Sequence, residues 1–238
     1  MATSPKALLL KFPGTNCDAE TARALQAVGF ETQILPIALL EPHALDQVQL
    51  VVFSGGFSYG DYVMSGRFAK LITLSKVQDG LQKFVTRGGY VMGICNGFQI
   101  LTQLHLLPEG SLIHNTSGRF ICRWAGLKKN ADSPYLQGLP DEFELPIAHA
   151  EGRFVGIADA AGDYVKNGRA ALLYTSDVNG STHQIAALQD DTGRVFGLMP
   201  HPERFILKSH HYDPDWNADA EWGWGYHMFK SVHGAITA

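Results

Sequence analysis

The sequence predicts an α/β protein: a parallel β-sheet with helices on both faces, extended in its second half by antiparallel β-structure. Three observations lead to this fold class. The first hundred residues alternate short, continuously apolar runs with stretches of helical periodicity, the pattern of βα units whose strands are buried on both sides. After Leu106 the texture changes to short β-like runs broken by Gly, Pro, Asn and Asp. The composition, 45% hydrophobic and 18% charged over 238 residues, supports a sizeable core and excludes a disordered chain.

Taken in order, Lys6–Phe12 is an apolar run closed by Pro13-Gly14 and reads as a buried strand. Asp18–Val28 carries Ala22, Leu25 and Val28 at helical spacing, with Gly29 in the position of a C-cap. Glu31–Leu35, Leu50–Phe53 and Tyr90–Ile94 are the next three strands. Between the last two, Leu71, Leu74, Val77, Leu81 and Phe84 form one stripe of a helix over Phe68–Val85. A further helix is expected over about Phe98–Leu106. The antiparallel portion lies in Ser111–Leu127, Glu142–Ile157 and Ala171–Leu198. Asp190-Asp191-Thr192-Gly193 reads as a hairpin turn between Ile185–Leu188 and Val195–Met199. Ala218–Ile236 is expected to close the fold as one helix. No repeat or linker divides the chain, so residues 1–238 read as one domain.

Nineteen basic against 23 acidic residues give a net charge of −4, so bulk electrostatics support neither nucleic-acid nor anionic-membrane binding. Three cysteines, an odd number, argue for a reducing compartment rather than a disulfide framework. The apolar run Ala7–Leu10 is too short for a signal-peptide core, and no later run approaches a membrane span. A soluble, cytoplasmic protein is the expectation. His210-His211 and His227 lack metal-ligand spacing, so no metal site is expected. Trp216, Trp222, Trp224 and Tyr226 read as packing residues.

The strongest chemical signal is Gly93-Ile94-Cys95-Asn96-Gly97-Phe98-Gln99, where a buried strand meets a helix. A nucleophile between two glycines at such a corner is an elbow: the glycines let strand and helix approach while the central residue takes a strained conformation. The helix start favours a thiolate at Cys95, and the Asn96 N–H is placed to stabilise an oxyanion. The alternative, a small buried apolar cysteine, does not explain the flanking glycines. A cysteine nucleophile needs a base and an orienting group. His201-Pro202-Glu203 supplies both, since Pro202 holds His201 out of the α region and extended chain puts residues two apart on one side. The loop Phe53–Asp61 has no nucleotide-binding glycine spacing. Its Gly55-Gly56 turn instead suits aiming a backbone N–H at an oxyanion.

Gly-Ile-Cys-Asn-Gly-Phe-Gln with a distant His-Pro-Glu resembles the class I (triad) glutamine amidotransferases. The segments Phe12–Asp18, Ser54–Asp61, Asn115–Phe120, His149–Phe154 and Met199–Arg204 narrow the likeness to the branch serving purine biosynthesis. The resemblance covers about Lys6–Phe205 and leaves Ile206–Trp224 unmatched. It implies a flavodoxin-like α/β domain that hydrolyses glutamine, with Cys95 as nucleophile, His201 as proton shuttle and Glu203 orienting it. It implies an oxyanion hole from the backbone N–H groups of Gly56 and Asn96, and glutamine contacts from Gln99, Asn115, Ser117 and Arg119. No role is assigned to Cys17 or Asp18. The ammonia would pass to an ATP-dependent synthase subunit that converts formylglycinamide ribonucleotide to formylglycinamidine ribonucleotide, with a small accessory subunit in the same complex. ATP and magnesium are expected on that partner, and no cofactor on this chain. Amidotransferases for GMP, CTP or an aminated aromatic acid fit the segments around Asn16, Arg119 and Glu151 less well. A non-catalytic scaffold is disfavoured by the intact triad.

Overall fold

A computed structural model describes residues 4–57, 80–157 and 160–238. The first βα units appear as β1 (Lys6–Lys11), α1 (Asp18–Ala27), β2 (Glu31–Pro36), β3 (Leu50–Phe53), β4 (Tyr90–Ile94) and α2 (Asn96–Gln103). The second half contributes β5 (Gly110–Ile113), β6 (Ile121–Lys129), β7 (Glu142–His149), β8 (Arg153–Gly156), α3 (Ala160–Lys166) and β9 (Ala170–Tyr174). The chain closes with β10 (Ile185–Gln189), β11 (Val195–Leu198) and α4 (Trp224–Thr237).

Among the described residues, nine strands form one sheet in the order β2-β1-β3-β4-β11-β10-β9-β6-β7. Pairing is parallel from β2 to β11 and antiparallel from β11 to β7. This is the expected parallel sheet with its antiparallel extension. β5 and β8 pair separately as a two-stranded antiparallel sheet. The continuously apolar β3 is buried throughout, whereas β2, with Glu31, Thr32 and Gln33, is an edge strand exposed along much of its length. β2 lies on one side of β1 and β3 on the other. With right-handed crossovers, the helices that follow β1 and β3 therefore cover opposite faces. The reversal of strand order opens a crevice above the carboxyl ends of β1 and β3.

Several elements differ from the expectation in instructive ways. Helix α2 begins at Asn96 rather than Phe98, because Cys95 (φ 52°, ψ −105°) makes the whole turn in one residue. It ends at Gln103, and His105 follows with φ 56°. The closing helix begins only at Trp224: the Asp219 carboxylate accepts the N–H groups of Glu221 and Trp222, at 2.8 Å each, and holds the preceding residues in a turn. Helix α3 was not foreseen, since seven residues interrupted by Gly162 carry too little periodicity. Of the helix expected over Phe68–Val85, residues 80–86 are helical and the portion before residue 80 lies outside the described residues.

Gly97 is the tightest contact between α2 and the sheet: a Cβ there would lie 1.9 Å from the carbonyl oxygen of Phe53. Gly97→Ala is therefore expected to destabilise the protein by about 3 kcal/mol or more, because backbone rather than a side chain must yield. At Gly234, in α4, an added Cβ would meet nothing within 4 Å among the described residues. Gly234→Ala is expected to be neutral or up to about 1 kcal/mol stabilising. Denaturant unfolding of the two variants side by side checks both.

Candidate active site

The crevice is built from four chain turns. β4 delivers Cys95 at its carboxyl end, where the Cys95 N–H donates to the Leu198 carbonyl of β11 at 2.7 Å. The left-handed φ of Cys95 is strained for a residue with a Cβ. The flanking glycines make it attainable, since a Cβ at Gly93 would come within 2.7 Å of Gly97 backbone. Cys95 Sγ is buried, 3.9 Å from the Ala148 carbonyl of β7, and sits at the N-terminal end of α2. Because β4 pairs with β11 in register Ile94↔Leu198, the residues leaving the two strands emerge side by side, which brings His201 to Cys95.

His201 and Glu203 are both buried, and His201 Nδ1 lies 2.6 Å from Glu203 Oε1. The pairing arises differently from the extended geometry expected. Pro202–Arg204 form one 3-10 turn, closed by the Arg204 N–H donating to the His201 carbonyl at 3.2 Å. Both side chains still converge, because His201 (φ −108°, ψ 86°) stays outside the helical region before Pro202. The His201 N–H donates to Pro146 of β7 at 2.8 Å, fixing the turn from the other side. Burial opposes a charged imidazole, but the Glu203 carboxylate, aided by both nearby thiols, raises the His201 pKa well above the usual histidine range. Nε2 of His201 is buried without a hydrogen-bond partner among the described residues. That is the nitrogen left to serve the thiol.

Gly56 sits on the turn after β3 with φ 144°, and a Cβ there would lie 2.8 Å from Asn16 N and Thr15 Cα. Only glycine fits. Its neighbours are pinned to the β1–α1 turn: the Cys17 N–H donates to Gly55 O at 3.2 Å and the Phe57 N–H to Gly14 O at 3.0 Å. The Gly55 carbonyl faces that turn, and in the trans peptide that joins it to Gly56 the N–H points the opposite way, so the Gly56 N–H is directed away from the turn. Asn96, the other expected oxyanion donor, is the first residue of α2. The rest of the loop through Asp61, from Ser58 onward, lies outside the described residues.

The expected glutamine contacts separate into two groups. Gln99, on α2, donates to the Glu151 carbonyl at 2.6 Å and accepts from Asn96 Nδ2 at 2.9 Å. Asn115 is buried with its side chain fully engaged: Nδ2 donates to the carbonyls of Arg119 and His149, and Oδ1 faces His149 Nδ1 at 3.1 Å. It organises the 149–152 segment. Ser117 and Arg119 stand on the exposed 116–120 turn, with the Arg119 N–H donating to Ser117 Oγ at 3.3 Å.

Three residues in the site went without a role on the sequence alone: Cys17, Arg204 and His149. Cys17 Sγ, a His201 ring nitrogen and a Glu203 carboxylate oxygen lie within 4.8 Å of one another. These are potential metal ligands, but Arg204 Nη2 stands 3.3 Å from Cys17 Sγ and places a fixed positive charge against the cluster, which disfavours a cation there. Burial pushes the Cys17 thiol up, which makes Cys17 a poor nucleophile. His149 is 3% exposed, and burial, reinforced by the charge of His201, lowers its pKa to about 4. Since Asn115 Nδ2 is committed to carbonyls, its Oδ1 accepts and His149 is the neutral Nδ1–H tautomer.

A depressed histidine pKa carries a pH signature. Between its folded value near 4 and the unfolded value of about 6.5, the unfolded chain binds the extra proton, so stability is present above that window and lost as pH falls through it. His149 is expected to contribute about 2 kcal/mol to the stability lost between pH 7 and pH 5. Urea unfolding at both pH values should show a smaller loss in His149→Gln by that amount; equal losses would refute the assignment.

Residues 4–234 match the CobB/CobQ-like glutamine amidotransferase domain. The phosphoribosylformylglycinamidine synthase subunit PurQ of Thermotoga maritima is 40% identical over 205 residues, covering 85% of this chain and 89% of the relative. That of Dehalococcoides mccartyi is 38% identical over 247 residues, covering 95% and 96%. A chain in the structure of PurLQS from Thermotoga maritima superposes with a TM-score of 0.83 at 35% identity, covering 98% of this chain and all of that one.

Proposed function

The chain belongs to the CobB/CobQ-like glutamine amidotransferase family, and from that premise we propose that it is the glutaminase subunit of phosphoribosylformylglycinamidine synthase. It hydrolyses glutamine to glutamate and ammonia in purine biosynthesis. The observation that carries the reading is the buried Cys95–His201–Glu203 constellation above the carboxyl ends of β4 and β11.

Cys95 Sγ, its proton taken by His201 Nε2, attacks the side-chain amide carbon of glutamine, and the carbonyl oxygen takes up negative charge opposite the N–H groups of Gly56 and Asn96. His201 passes a proton from Nε2 to the departing ammonia as the C–N bond breaks, leaving a glutamyl thioester. It then takes a proton from the water that cleaves the thioester, which restores the thiol and releases glutamate. Glu203 holds Nδ1 throughout, so Nε2 always faces the reaction. Gln99, with the segment that Asn115 organises, borders the side where the amino-acid end of the substrate is held, and Ser117 and Arg119 form its exposed margin. One domain, residues 1–238, carries these steps in the cytoplasm. Among the described residues no helix is long and apolar enough to cross a membrane.

The ammonia goes to a synthase subunit, assembled with a small accessory subunit, and ATP with magnesium acts there. The test is reconstitution of the purified chain with that synthase, its formylglycinamide ribonucleotide substrate, ATP and magnesium. Glutamate and formylglycinamidine ribonucleotide are expected in equal amounts. Glutamine consumption without amidated ribonucleotide would refute the assignment of the pathway.

A further inference from the structure

Cys17 is remote in sequence from all three members of the triad, yet it is buried at the start of α1 and meets the catalytic turn through several separate contacts. Its sulfur lies in one cluster with His201 and Glu203, all within 4.8 Å. Arg204 Nη2 donates to that sulfur at 3.3 Å, while Arg204 Nε donates to Glu20 on α1 at 3.2 Å. The Cys17 backbone N–H donates to Gly55 O, one residue before Gly56. Gly55 itself sits between the two groups: a Cβ there would lie 3.0 Å from His201 Cε1 and 3.2 Å from Cys17 Sγ.

We propose that Cys17 is a positioning residue for the glutaminase reaction, its sulfur seating the His201 ring while its backbone N–H holds the Gly55-Gly56 turn, so that base and oxyanion donor stay in mutual register. The inference rests on the triad assignment above. A buried thiol suits this place. It is compact, its polarisable sulfur accepts from the Arg204 guanidinium, and burial keeps it protonated and out of competition with Cys95. Among the described residues, the groups facing His201 are Cys95 from the start of α2, Cys17 from the start of α1, Glu203 from its own turn and His149 from β7, with Arg204 on the Cys17 sulfur. Of these, Cys17 and Cys95 both favour the protonated imidazole, after Glu203. Removing the Cys17 sulfur therefore makes His201 lose its proton at lower pH.

The test uses the assembled complex and three variants, with glutamine hydrolysis followed from pH 6 to 10. In Cys17→Ala, kcat is expected to fall about ten- to a hundredfold, as for a misplaced catalytic group, with KM for glutamine unchanged. The basic limb of kcat/KM should move to lower pH by at least about half a unit. Cys17→Ser, which keeps an acceptor, should recover most of both. Ammonia-dependent synthesis by the same complexes reports folding and assembly. If Cys17→Ala fails to assemble, the limb position in Cys17→Ser decides, and a serine variant inactive at every pH overturns the proposal. An unmoved limb, or losses equal in alanine and serine at every pH, leaves Cys17 as packing and also overturns it. Cys95→Ala run alongside separates the two readings, since glutamine turnover surviving there would sink the triad and not Cys17 alone. Iodoacetamide with peptide mapping should label Cys95; label on Cys17 instead would make Cys17 the nucleophile and refute a positioning role.

Discussion

Replacing Cys95 with alanine is expected to abolish glutamine-dependent synthesis by the complex while ammonia-dependent synthesis persists. The thiolate acts only in releasing ammonia from glutamine, so ammonia supplied in the medium bypasses it. Loss of a nucleophile that works in one unit with its base costs about 10⁶ in kcat, which here means background. Alanine adds no backbone strain, since Cβ is retained and only the sulfur is removed from a buried site beside Ala148 O. The fold and assembly with the synthase are expected to survive. Parallel assays with glutamine and with ammonium salt on one preparation check the prediction. A parallel fall of both activities would make Cys95 structural.

His201→Ala is expected to come close to the same loss, because nucleophile and base are not additive. Without Nε2 there is no group to protonate the departing ammonia or to activate water against the thioester. Glu203→Gln is expected to be milder. An amide can still accept the Nδ1–H and keep the ring oriented, but it no longer carries the charge that holds His201 protonated against its burial. The two effects are distinguishable by pH. In Glu203→Gln the basic limb of kcat/KM should move down, since the imidazolium gives up its proton more readily, whereas His201→Ala should leave no such limb to observe. Single-turnover thioester formation, read by acid-quench mass spectrometry, checks each. Glutamine turnover near wild type in His201→Ala would remove His201 from the mechanism.

The parts of this protein that could be read from its residues in order are those governed by local physics. Strand β3 follows from four apolar residues between turn signals, and α1 from Ala22 and Leu25 at helical spacing with Gly29 closing it at φ 106°. The Cys95 elbow belongs to the same class, because Gly93 and Gly97 meet steric demands within a few residues of the cysteine they serve. The pairing of His201 with Glu203 was equally apparent, although its geometry was not. Residues two apart meet in extended chain and also across a 3-10 turn. The turn is selected by packing: α4 presses Gly225 so closely on it that a Cβ would lie 1.8 Å from Pro202 O.

The other features were decided only when strands took their order in the sheet. Cys17 reaches His201, and Gly56 finds the β1–α1 turn, because β1, β3, β4 and β11 are near neighbours whose carboxyl ends open on one crevice. No periodicity of the chain encodes that order. Asn115 carries the same lesson: the resemblance makes it a glutamine contact, and its place in the fold adds what the sequence did not show, a buried amide bonded to His149 and Arg119. The physical reason is common to all of these. Local sequence sets which conformations a segment can adopt, but a buried polar group takes the partners that the assembled fold presents, and leaving it unpaired costs more than any local preference supplies.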